Sequence, residues 1–179
     1  LWRYVGYLLG VDEHILPACE DDANRAMYLM AATIPPSDAD TLYARIHTSF
    51  VRQGMMRHLQ ARLLHVEPGR VDILLPYSDK VTQQQDGFHG GAMGAVADIA
   101  GGYAALTVAP EGMEVVTAEY KINFLGSFQG GALRATGRVV KPGKRLIIAT
   151  AEVVHVDPDG KEAPCAIMQQ TLVPIPKTY

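Results

Sequence analysis

Cysteine is nearly absent from this chain. The two present in 179 residues, Cys19 and Cys165, are far apart and have neither CxxC nor Cys/His spacing. That argues against a structural disulfide or zinc site and fits a reduced, cytoplasmic compartment. Charge is also sparse, at 20% of residues, and the net value of −3 gives no general attraction to nucleic acid or to a membrane surface. HExxH, GxSxG, P-loop and GxGxxG motifs are all missing, which removes the zinc-peptidase, serine-elbow and nucleotide-cradle readings. His47, His58 and His65 have no ligand spacing, so no metal and no other cofactor is expected. Internal repeats and low-complexity tracts are lacking, as is the basic leader with an apolar core that marks a signal peptide. The first residue is Leu1 rather than methionine, so the numbering is expected to begin inside a longer reading frame.

What is present is apolar. Hydrophobic residues make up 48% of the chain, enough for one good core plus an appendage. Residues Gly90 to Ala109 carry a single charge, Asp98, and are long enough to cross a bilayer. They are mostly Gly and Ala, which gain little in lipid, and a central Asp costs about 2.5–3.5 kcal/mol on insertion scales. A helix buried inside a soluble protein, with no membrane partner, is the expectation. At its start stands Phe88-His89-Gly90-Gly91. Two glycines at a helix start leave backbone N–H groups free at the positive end of the helix dipole, suited to an anion or a developing oxyanion. Asp98 is costly in an apolar helix unless it is neutralised, paired or used. Helix-start donors plus a carboxylate suggest acyl transfer to water.

Periodicity divides the chain near residue 37. Residues 1–36 read as a helical appendage or fusion remnant ending at Ile34-Pro35-Pro36. Ser37-Asp38-Ala39-Asp40 offers helix-cap chemistry, and Leu42, Ile46, Phe50 and Met56 predict one helix running to about Leu59. The period then changes. Arg62–Val66 and Val71–Leu75 flank a Glu67-Pro68-Gly69-Arg70 turn. After the Gly90 helix, Val116, Ala118, Tyr120, Ile122 and Phe124 alternate with Thr117, Glu119, Lys121 and Asn123. Strands near 133–139, 145–156 and 163–173 follow, joined by Lys141-Pro142-Gly143-Lys144 and Asp157-Pro158-Asp159-Gly160. Short turns imply antiparallel neighbours. The expected class is α+β, an antiparallel sheet wrapped around one long helix, with residues 37–179 as the main domain.

His89-Gly90-Gly91, Asp98, the small-residue run Ala100-Gly101-Gly102-Tyr103-Ala104-Ala105 and the strand Thr117 to Leu125 resemble the PaaI-type hotdog-fold acyl-CoA thioesterases. The resemblance covers about residues 59–174. It implies the hotdog fold, hydrolysis of acyl-CoA to the free acid and coenzyme A, and a homodimer or homotetramer. It also implies roles. Gly90 offers its N–H to the thioester carbonyl, Asp98 is nucleophile or general base, and Thr117 orients water. Members commonly carry Asn six residues before the histidine; this chain has Gln83 there, which the resemblance places in the catalytic set as a secondary polar group. His89 joins the catalytic set chiefly as a group holding the loop. Gly91 is a candidate substrate contact. Lys141, Lys144 and Arg145 would meet coenzyme A phosphates, where arginine's fork and lysine's point charge suit the task.

Spacing adds a constraint. Gly90 and Asp98 are eight residues apart, about 12 Å along a helix. They cannot both touch one thioester carbon from a single helix, so the site must lie across a subunit interface. Gly94, Gly101 and Ala105 are small and would leave Asp98 approachable. Two rivals to hydrolysis stay open: a hotdog enoyl-CoA hydratase or dehydratase, for which only His89 could act as acid and base, and a non-catalytic acyl-CoA-binding module. Separately, Leu1 to Val11 with Ile15-Leu16-Pro17 resembles a fragment of the latex-clearing-type haem oxygenase family, over residues 1–40 at most. No complete haem site can be built from it, and no activity is transferred.

Overall fold

The computed structural model describes residues 39–178. The expected appendage of residues 1–36 and the Ser37 cap lie outside the described residues. Helix α1 (Ala39–Arg52) buries Ile46 and Phe50, one turn apart, with Leu42 partly buried on the same face. The expected single helix to Leu59 is broken. Gln53 takes an extended backbone (φ −72, ψ 111), and a short helix α2 (Gly54–His58) follows, burying Met56. The break has local causes. Gly54 is a poor helix former, and the Arg57 guanidinium donates to the terminal carbonyls of Val51 and Arg52 (2.9 and 3.0 Å).

Strands β1 (Arg62–Glu67) and β2 (Arg70–Pro76) form the expected hairpin, with Gly69 in the left-handed region (φ +80) that its turn requires. Next comes helix α3 (Gly90–Val108), then β3 (Met113–Phe124), β4 (Ala132–Lys141), β5 (Ile147–Val156) and β6 (Glu162–Pro176). The strands make one six-stranded antiparallel sheet in the order β1-β2-β4-β5-β6-β3. It curls around α3, the hotdog arrangement expected from the sequence. The helix is long and apolar enough to cross a bilayer, yet most of it is buried inside the protein.

Small residues make that wrapping possible. Ala97, Ala100, Ala104 and Ala105 are fully buried, so strands approach the helix backbone directly. The tightest point is Gly137 on β4, where a side-chain Cβ would lie 2.2 Å from the carbonyl carbon and oxygen of Ala100. Backbone stands on both sides of this contact, so neither partner can yield cheaply. Gly137→Val is expected to destabilise the fold by about 1–3 kcal/mol or more, the cost of overpacking a rigid core. A urea unfolding midpoint equal to that of the parent protein would show that the helix can shift away from the sheet.

The predicted alternation along β3 is interrupted. Thr117 pairs with Leu172 and Glu119 with Thr171, leaving Ala118 as an extra residue in a β-bulge. The bulge exchanges faces. Thr117 lies on the same face as Ile122, since their partners Leu172 and Met168 share the buried face of β6. Val116, expected to run with Ile122, is 44% exposed instead.

Candidate active site

Asp98 sits two turns into α3, partly buried. Two donors reach its Oδ1. The bulge on β3 turns Thr117 toward the helix, and its hydroxyl donates to Asp98 Oδ1 at 2.7 Å. From β6, the Gln170 amide donates to the same oxygen at 3.0 Å and to the Asp98 backbone carbonyl at 3.2 Å. Oδ2 accepts nothing among the described residues. Beside Asp98 opens a cleft of about 510 Å³, walled by Ile99, Leu106, Val115 and Leu172, by the polar groups of Ser49, Gln53 and Tyr103, and by the charged Arg52 and Glu114. Gln53 donates to the Tyr103 hydroxyl (2.7 Å), which donates to Ser49 Oγ (3.1 Å). Burial pushes the Tyr103 phenol above its ordinary value, against the opposing pull of its two hydrogen bonds, so it stays protonated near neutral pH.

The helix start is separately built. His89 has an extended backbone, and its Nδ1 accepts from the Gly91 N–H at 2.8 Å, capping α3. The His89 N–H donates to the Val81 carbonyl (2.7 Å) and the Phe88 N–H to the Phe128 carbonyl (2.9 Å), which pins the loop. Gly91, a candidate substrate contact, thus has its N–H engaged by its neighbour. The Gly90 N–H has no acceptor among the described residues, and the Phe124 ring lies over it, 3.2 Å from where a Cβ would stand. The Gln83 side chain serves its own turn, accepting from the Gln85 N–H at 2.6 Å. Gly90 and Asp98 belong to one continuous helix, about 12 Å apart along its axis. One protomer therefore brings Asp98 and Thr117 together but separates them from Gly90, His89 and Gln83.

Lys141, Lys144 and Arg145 are exposed at the β4–β5 turn. The register places Lys141 level with Ile148, Thr171 and Glu119, so the turn stands at the Thr117 end of the sheet. Three inter-strand steps separate Lys141 from β3, about 14 Å. Cys165 is no competing nucleophile, because burial pushes its thiol up to about 11.

Two features escaped the sequence reading. Gln170 interrupts an otherwise apolar inward row of β6 (Ala166, Met168, Leu172), the one local sign that it has work to do. Gly101, expected to leave Asp98 approachable, is instead the seat of Gln170: a Cβ there would lie 2.0 Å from Gln170 Oε1.

Comparison with known proteins places this geometry. The thioesterase superfamily model matches residues 87–161, spanning the helix start, Asp98 and Thr117. A provisionally named esterase of Saccharolobus solfataricus is 36% identical over 107 residues, 60% of this chain and 74% of that protein. The chain belongs to the thioesterase superfamily. The crystal structure of a thioesterase family protein from Silicibacter pomeroyi is 38% identical and superposes with a TM-score of 0.73, covering 76% of this chain and 99% of that one. The PaaI protein from the phenylacetic acid degradation operon of E. coli shares the fold at 22% identity, with a TM-score of 0.69 over 79% of this chain and 99% of its own. The superfamily assigns hydrolysis of an ester or thioester.

Removing the cap tests the helix start by itself. His89→Ala should lower stability by about 0.5–2 kcal/mol, the usual range for a lost N-cap acceptor. An unchanged melting temperature would mean that the loop's backbone bonds alone hold the helix end.

Proposed function

We propose that this protein is an acyl-CoA thioesterase whose active site is shared between two copies of the chain. The observation that carries the reading is the position of Asp98, a carboxylate steadied through one oxygen beside an open cleft of mixed polar and apolar lining, on the helix whose start leaves Gly90 without an acceptor. The Asp98 of one subunit works on a thioester whose carbonyl oxygen accepts from the Gly90 N–H of the other. The carboxylate either adds to the thioester carbon, expelling the thiolate to leave an acyl–Asp98 anhydride that water then cleaves to free acid and carboxylate, or takes a proton from the water that attacks. In the second route the water oxygen bonds to carbon, its proton passes to Asp98, and the C–S bond breaks. The electron pair leaves on sulfur, and the coenzyme A thiolate is then protonated. On both routes the carbonyl oxygen gains negative charge, which a helix-start N–H stabilises without reorganising. Thr117 holds the carboxylate, His89 fixes the loop carrying Gly90, and Gln83 belongs to that loop.

The assembly is supported by β3. It is an outer strand of 12 residues with Val116, Tyr120 and Phe124 exposed at 44%, 47% and 53%. Its outer edge has no strand beside it among the described residues, and a long unpaired edge invites pairing with another chain. Pairing β3 with its own copy gives a two-fold interface in which each subunit meets the same surface.

Asp98→Asn keeps size but removes the charge. It should leave the assembly folded and able to bind acyl-CoA while cutting thiol release by about 10²–10⁴-fold. Gly90→Pro suits the first helical position and deletes an N–H that the helix does not use, with the Phe124 ring giving way to the added Cβ 3.2 Å from it, so a fall of about 10²–10³-fold is expected. Mixed dimers of the two variants keep one intact site, made of Asp98 from one chain and Gly90 from the other, and should regain activity. Absence of recovery in mixed dimers would confine the site to single subunits. Recovered hydration of crotonyl-CoA without thiol release would instead favour the hydratase reading.

Lys144 and Arg145 are exposed and form no ion pair among the described residues, which leaves their charges open to an anion. Changing both to Ala should raise KM for acyl-CoA, more at low than at high salt, with kcat nearly intact. An unchanged KM would return them to a solvated hairpin tip.

A further inference from the structure

Gln170 is fully buried, and its geometry is that of a group committed to Asp98. The amide nitrogen meets two acceptors, Oδ1 and the backbone carbonyl of Asp98. Exchanging the amide's N and O would set Oε1 against both oxygens, so the orientation is forced. The consequence is an orphan: Oε1 is buried and has no partner among the described residues. A buried acceptor left unpaired is costly, and any aliphatic side chain of similar size would avoid it. Of its two polar atoms, only the donor does work here. Its seat is equally specific, since Gly101, one turn beyond Asp98, is the helix position that admits it: a Cβ there would lie 2.0 Å from Oε1 and 2.7 Å from Cδ.

We infer that Gln170, seated on Gly101, is a positioning residue for the Asp98 carboxylate. With Thr117 it anchors Oδ1 and leaves Oδ2 as the oxygen that reacts. The inference rests on the role proposed above for Asp98 and goes beyond it, because Gln170 lies outside the segment matched by the superfamily model and touches the cleft only through Asp98. A bond to a charged group is stronger than one between neutral groups, so its loss should be felt in the step that uses the charge.

The experiment compares two variants by kcat and KM for acyl-CoA thiol release. Gln170→Met keeps the shape and removes the donor. Gly101→Ala keeps Gln170 but displaces its amide; the clash is with a side-chain end rather than with backbone, and Ala is the better helix former, so a stability measurement alongside kcat separates lost positioning from lost folding. Each should lower kcat roughly ten- to a hundred-fold with KM within about twofold, the split expected of a group acting in the chemical step. In an Asp98→Asn background Gln170→Met should cost nothing further, since two residues acting through one group are not additive. Full kcat in Gly101→Ala and Gln170→Met, while Asp98→Asn is inactive, would overturn the positioning role and leave that of Asp98 standing. A further loss of equal size in the Asp98→Asn background would make Gln170 merely structural. Normal turnover by Asp98→Asn would remove the reading on which the inference rests.

Discussion

A carboxylate in the middle of an apolar helix is the constraint to which the rest of this fold answers. Asp98 cannot be satisfied by its own helix, whose backbone groups are already paired, so its donors must come from the sheet. They come from two different strands, both later in the sequence: Thr117 on β3 lies 19 residues on and Gln170 on β6 lies 72. Both reach it only if the sheet lies close against the helix, and closeness demands small residues. Ala97, Ala100 and Ala104 line the buried sides, Gly101 receives Gln170, and Gly137 lets β4 touch the helix backbone at Ala100. A helix of bulkier residues would bury more apolar area per turn, but it would hold β3 and β6 away from the carboxylate. The composition of α3 trades hydrophobic packing for access.

The bulge at Ala118 belongs to the same logic. A strict alternation would place Thr117 on the face opposite Ile122, so the strand could supply an apolar wall or a hydroxyl to Asp98, but not both. One unpaired residue resolves the conflict by reversing the facing of the strand beyond it. Bulges of this kind also raise local twist, which suits an edge strand wrapping a helix.

This explains which parts could be read from the sequence. Helix α3, the turns at Gly69 and Gly160 and the antiparallel strands follow from local period and turn chemistry, and the sequence carries both. The motif around His89 and the charge at Asp98 were visible because each breaks a local pattern. The bulge was not, since it exists only in the pairing of β3 with a strand some 50 residues later. The break at Gln53 has local causes in Gly54 and Arg57, but the bond from its side chain to Tyr103, 50 residues on, leaves no local trace. The Gly101 contact shows the limit most plainly. A glycine on the face of a functional residue reads as open space, but here the space is occupied by a side chain from the far end of the chain.

The separation along α3 carries the argument past the single chain. A helix rises about 1.5 Å per residue, so the start that can stabilise an oxyanion and the carboxylate that can drive attack are fixed about 12 Å apart. Bending the helix cannot close that gap, because its buried alanines are locked into the sheet. Two copies related by a two-fold axis can close it, since antiparallel helices bring the start of one beside the middle of the other, and they do so twice. On this reading the unpaired edge of β3, a liability in a monomer, is the surface that completes the chemistry. Stability of the assembly and competence of the site then depend on the same contact, so weakening the β3 edge should reduce turnover in proportion to the loss of dimer even where each subunit stays folded.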